Sequence, residues 1–122
     1  MTMIDSDRKP GRWLAANGAV YAAAAVALSA YAAHAVQGPA QARLQTAALF
    51  AFGHGVALAA LSRQSQRMPA RFGLAMLYAG VLLFSGSLAF NVLAQWPTTL
   101  APFGGCLLIA GWLLYAVDAA RR

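Results

Sequence analysis

Long apolar blocks alternate with short polar breaks along this chain. No Asp, Glu, Lys or Arg occurs within residues 13–36, 44–61, 72–95 or 100–117. The first and third blocks hold 24 residues each, the second and fourth 18. At a helical rise of about 1.5 Å per residue these cover roughly 27–36 Å, against a hydrocarbon core of about 30 Å. The pattern predicts an all-α protein, an antiparallel four-helix transmembrane bundle with short loops. Residues 13–122 form its single domain, and residues 1–12 form a short basic tail.

The breaks carry helix punctuation. In "QGPAQAR" (37–43), Gly38 ends the first helix and Pro39 suits the first turn of the second. The second helix can thus begin near Pro39, with Gln41 and Arg43 at the water boundary. "SRQSQRMPAR" (62–71) puts Arg63 where a cation complements a helix C-terminus, and Pro69 opens the third helix. "WPTT" (96–99) is so short that helices 3 and 4 must be antiparallel neighbours. Trp13 and Trp96 fit an aromatic belt at the two boundaries, whereas Trp112 lies deeper and reads as a packing residue. The polar opening "MTMIDSDRKP" is expected to be disordered.

Composition agrees with the pattern. Residues are 61% hydrophobic and 10% charged, against about 45–50% and 25% in soluble domains. The net charge of +6 would suit nucleic acid on a soluble platform, but no such platform remains here. It reports orientation instead. With the N-terminus inside, Arg8, Lys9, Arg12, Arg63, Arg67, Arg71, Arg121 and Arg122 all face the cytoplasm, and only Arg43 faces out. Both termini are therefore predicted to be cytoplasmic, with the inner arginines and lysine facing anionic lipid headgroups. The basic start and "AHA" (33–35) imitate a signal peptide. The apolar run exceeds the ~7–15 residues of a signal core, so it reads as a retained span. Cys106 is the single cysteine and cannot form an intramolecular disulfide.

Candidate chemistry is sparse. Ion-coupled carriers need an ionisable group at membrane depth, and only His34 and His54 qualify. From the expected spans, His34 stands about nine residues, roughly 14 Å, outward of its helix centre, whereas His54 is near its own. The two cannot clamp one haem iron, and no third ligand for a metal is at hand. No cofactor is expected. His54 lies between Gly53 and Gly55, which would let another helix approach and hydrogen-bond the ring; a proton-handling role is the competing reading. Ser85 and Ser87 fall level with His54 in the expected register, and a hydroxyl–imidazole bond between helices 2 and 3 is expected. Ser85 and Ala89 share one face, Ser87 and Asn91 another. No acid is present to build a catalytic triad, so an enzyme is not expected.

Small residues suggest where helices touch. Helix 2 carries Ala47, Ala51, Gly55 and Ala59 at every fourth position. Helix 1 carries a weaker stripe, Ala15, Ala19, Ala23 and Ala27, in a segment that is half alanine. Gly86, Gly104, Gly105 and Gly111 are further candidates for close packing, since small-xxx-small faces let helices associate in lipid.

"AHAV", the Phe50–His54 pair, "LFSGSL" (83–88) and "PFGG…AGW" (102–112) occur in this order. Together they resemble the YgdD-like family of small bacterial inner-membrane proteins, over about residues 29–117. The resemblance implies a four-helix membrane domain of unknown function. The family's histidines match His34 and His54, its Ser-Gly-Ser matches Ser85, Gly86 and Ser87, and its later glycines match Gly104, Gly105 and Gly111. Ser29 and Ala32 stand where the family tends to have glycine, and Phe50 where it tends to have tyrosine. A role needing a phenol at that place is not carried over.

The expected function is that of a structural or accessory component of the bacterial inner membrane, binding a partner protein or lipid. The alternative is a small oligomeric transporter or channel built on the His54–Ser85–Ser87 layer. Topology is directly measurable: reporter fusions after Gln41, Gln66 and Arg122 should read outside, inside and inside. A C-terminus found outside would contradict the charge argument.

Overall fold

The computed structural model describes residues 2–64 and 67–121, and for residues 2–10 the backbone course alone. Met1, Ser65, Gln66 and Arg122 thus lie outside the described residues. The chain forms α1 (Thr2–Ala35), α2 (Gly38–Leu61), α3 (Met68–Ala94) and α4 (Ala101–Ala120). Each contains an apolar stretch of membrane length, which in α1 is Gly11–Ala35. The protein is a small four-helix membrane protein.

One boundary differs from expectation and another is borne out. From Thr2 onward the polar opening is helical, not disordered. Once the membrane segment has nucleated a helix, each added residue gains a hydrogen bond for little further ordering. α2 starts at Gly38, next to the expected Pro39 and six residues before the charge-free block. Gly38 adopts φ +69°, the left-handed region that glycine enters without strain. Pro39 then occupies the first turn of α2, as Pro69 does in α3 and Pro102 in α4. α3 stops at Gln95, whose left-handed backbone (φ 58°) lets its own N–H donate to the Asn91 carbonyl and the next N–H, of Trp96, to the Phe90 carbonyl.

Helices pair in chain order. α1 packs on α2 and α3 on α4, the two pairs meet through α2 and α3, and α1 only grazes α3. The backbone of α4 therefore approaches α3 alone. With the end of the bundle that holds both chain termini called the inner end and the opposite one the outer end, Leu14, Leu58, Leu74, Leu77, Val81 and Leu108 fill the inner and central core, while Ala32, Leu44, Ala47 and Ala89 close the outer end.

Small residues at seven-residue spacing set both pair registers. Gly11, Gly18, Ala25 and Ala32 recur on α1, opposite Ser62, Gly55, Ala48 and Gln41 on the antiparallel α2. A methyl on Gly18 would lie 2.6 Å from the Gly55 carbonyl oxygen, and one on Gly55 would lie 2.5 Å from that of Gly18. A methyl on Gly11 would stand 2.7 Å from the Ser62 carbonyl oxygen. The second pair repeats the device. Gly73 and Gly111 each place a methyl 2.8 Å from the other's carbonyl oxygen, and Gly104 would place one 2.7 Å from that of Gly80. The buried residues of α4 (Ala101, Gly104, Leu108, Gly111 and Asp118) follow this heptad throughout.

The stripes therefore need partial correction. Ala47, Ala51 and Gly55 are buried and Ala59 is half-buried. Ala19, Ala23 and Ala27 are exposed, and the packed stripe of α1 is Gly11–Gly18–Ala25–Ala32 instead. Gly104 and Gly111 pack backbone on backbone. Gly105 meets only the Phe84 ring at 3.8 Å, and a methyl on Gly86 meets nothing within 4 Å. Gly86 is thus not a packing glycine: the α1–α3 separation leaves open space beside it.

These contacts separate two substitutions that sequence alone would treat alike. Gly104→Ala should destabilise the fold by about 1–3 kcal/mol through overpacking against backbone. Gly86→Ala should be neutral, or stabilising by up to about 1 kcal/mol from helix propensity. Unfolding in mixed micelles measures both; equal effects would contradict the register.

Candidate functional site

His54 is a ring at membrane depth held by two helices. Its Nδ1 lies 2.8 Å from the Phe50 carbonyl oxygen, one turn back on α2. Its Nε2 accepts the indole N–H of Trp112, on α4, at 3.0 Å. An indole nitrogen can only donate, so Nε2 must be bare and the ring proton must sit on Nδ1, donating to Phe50. Both nitrogens are satisfied in the neutral tautomer. Phe50 stacks on the imidazole at 5.8 Å and 9°, and Phe50 meets Phe84 of α3 at 4.7 Å. Trp112 also sits edge-on to Tyr115. The His54–Trp112 bond thus bridges α2 and α4, whose backbones do not pack together.

The expected His54–Ser85–Ser87 layer does not form. The Oγ atoms of Ser85 and Ser87 are buried and without a hydrogen-bond partner. Depth explains this. His54 stands seven residues from the inner end of α2, roughly 10 Å along the axis, and Ser85 stands 17 residues from the inner end of α3, roughly 25 Å. The early start of α2 moves its centre outward, leaving His54 in the inner half. Trp112, eight residues from the inner end of α4, is at the matching level. Ser85 and Ala89 instead share the face of α3 that lines the space beside α1. Gly55 does admit another helix, but that helix is α1, on the side away from Trp112. Gly53 faces open space.

His34 is exposed in the last turn of α1, far from His54 in depth. Among the described residues no three His, Cys, Asp or Glu side chains gather where a metal could be held.

Other polar side chains tie the helices at the two ends. Asn91 accepts from Arg43 Nη1 at 2.8 Å and donates to the Trp96 carbonyl oxygen at 2.8 Å. Arg43 thereby joins α2 to the α3–α4 hairpin, with Trp96 stacked on Phe90 at 5.0 Å. Gln41 donates to the Ala32 carbonyl oxygen, and Ser29 to Gln45 Oε1, across the α1–α2 pair. Nearer the inner end, the Tyr21 hydroxyl donates to the Tyr78 carbonyl oxygen while their rings stack. Asp118, 1% exposed, pairs with Arg67 at 3.3 Å. It stands beside the N-terminus of α3, where negative charge is favoured.

Trp112 and Asp118 were missed as site residues by sequence reasoning. Equal distance from the inner helix ends could have matched Trp112 to His54. The heptad through Gly104 and Gly111 could have placed Asp118 on the buried face.

Residues 28–105 match the model of a family described as "Protein of unknown function (DUF423)". The matched stretch includes His34, His54, Ser85 and Asn91 and ends before Gly111, Trp112 and Asp118. The UPF0382 membrane protein SAB0533 of Staphylococcus aureus (strain bovine RF122 / ET3-1) is 32% identical over 108 residues, covering 82% of this chain and 88% of that protein. No solved structure matches the chain.

The His54–Trp112 bond is measurable by a double-mutant cycle with His54→Phe and Trp112→Phe, both of which keep a ring in place. The coupling should be about 0.5–1.5 kcal/mol. A coupling indistinguishable from zero would show that the rings merely pack.

Proposed function

This chain belongs to the DUF423 family, whose function is unknown, and on that premise we propose that it is a structural or accessory component of the bacterial inner (cytoplasmic) membrane. It docks onto a partner membrane protein or lipid, with both termini in the cytoplasm. The observation that carries this reading is the engagement of His54. A proton relay needs a ring nitrogen free to take up and hand on a proton, and here one nitrogen faces Phe50 and the other Trp112. His54 and Tyr21 tie helices together at depth, which suits a scaffold and weighs against a transport path.

What remains for partners is the outer surface. The backbone of α4 packs on α3 alone, and the helix turns Phe103, Ile109, Leu113 and Val117 outward. At the inner end Arg12, Arg63, Arg67 and Arg121 are exposed, where anionic headgroups would lie. Affinity capture of the intact chain from mild detergent should enrich a specific membrane protein or lipid. Recovery of a bare monomer would count against the reading. Reconstituted in liposomes, the protein should carry no proton flux above empty vesicles; a flux abolished by His54→Ala would overturn the accessory role in favour of transport.

A further inference from the structure

We propose that the groove between the outer halves of α1 and α2 binds an isoprenoid quinone through the side-chain amide of Gln45. The groove encloses about 490 Å³, with walls that include Val26, Ala30, Leu49 and Phe52 and a polar pair, Ser29 and Gln45. That volume lies within the range of about 300–1,000 Å³ typical of small-molecule sites. The alanines of α1 are too small to fill the space beside α2, which is why the hollow exists.

The polar pair has donors to spare. Ser29 donates to Gln45 Oε1 at 3.1 Å, which fixes the amide plane. The Nε2 group then has two N–H donors and no acceptor among the described residues. Gln45 stands seven residues inside the outer end of α2, and Ser29 six residues inside that of α1. With the helix centred on a hydrocarbon core of about 30 Å, Gln45 lies roughly 7 Å below the core's edge. An unpaired N–H is costly at that level, and an acceptor carried by a molecule of the bilayer would satisfy it.

Depth and charge select the class. The ester carbonyls of a phospholipid are tethered to an ionic headgroup and stay near the boundary. A quinone is uncharged, presents carbonyl acceptors on a flat apolar ring, and can lie lower. From Ala25 to Ala33 the groove runs roughly 12 Å along α1, room for the ring and the start of its tail. Phe52 offers the ring an aromatic neighbour, and the rest of the tail leaves sideways into lipid. The proposal concerns binding alone, with no electron transfer. It rests on the reading of the chain as a component that docks molecules of the bilayer.

The test uses the intact chain in mild detergent, titrated with a decyl-substituted benzoquinone by calorimetry. One saturable site per chain is expected. Gln45→Leu should weaken it about tenfold, the loss of one hydrogen bond. Ala30→Phe should abolish it by filling the groove, and Gly86→Ala should leave it unchanged. Absence of saturable binding, or equal binding by Gln45→Leu and Ala30→Phe, would overturn the proposal. So would native mass spectrometry that finds a phospholipid or a second copy, and no quinone, retained in a Gln45-dependent manner. A partner captured by a chain that binds no quinone would refute this inference and leave the accessory role standing.

Discussion

Close backbone approach between helices is the contact on which this structure depends. In lipid, apolar side chains gain nothing by leaving their surroundings for one another, because acyl tails are as apolar as leucine. Helices associate through dense packing and a few hydrogen bonds. Gly18 on Gly55, Gly73 on Gly111 and Gly80 on Gly104 bring backbones so close that a single methyl would strike a carbonyl oxygen. Their seven-residue recurrence on both partners keeps each antiparallel pair in step over its length.

The polar contacts follow from that register. Once the pairs are set, Trp112 arrives at the level of His54, and Arg43 comes within reach of Asn91. Gln41 meets the Ala32 carbonyl, and Asp118, on the glycine face of α4, is carried to the N-terminus of α3 beside Arg67. Each interaction alone is modest at membrane depth. The first two join helices that the glycine contacts leave apart, the α2–α4 bridge most clearly, and the last two reinforce the glycine-set pairs. The exposed apolar side chains of α4 and the hollow beside the alanines of α1 are what the same packing leaves over.

The fold was legible because the bilayer imposes few choices. Charge-free blocks of membrane length and prolines at helix starts located all four helices, including the start of α2 near Pro39, but depth was reckoned from the charge-free block 44–61 and not from that earlier start. That error propagated. It placed His54 at mid-depth and level with Ser85, which hid Trp112 as the partner. Stripes were harder to read than spans, since α1 is alanine on almost every face and several spacings look equally good. Only the pairing of Gly18 with Gly55 distinguishes the packed stripe from the exposed one. Gly86 and Gly104 look alike in sequence, yet one borders open space and the other touches α3. That difference belongs to the partner helix and is written nowhere near the glycine itself.

The register of the α1–α2 pair is the central claim, and cysteine cross-linking measures it most directly. In a Cys106→Ser background, Ala25→Cys combined with Ala48→Cys should form a disulfide rapidly in native membranes, because both positions are buried rungs of one ladder. Ala25→Cys combined with Phe52→Cys, one turn out of step, should remain reduced. Faster cross-linking of the offset pair, or none in either, would contradict the account.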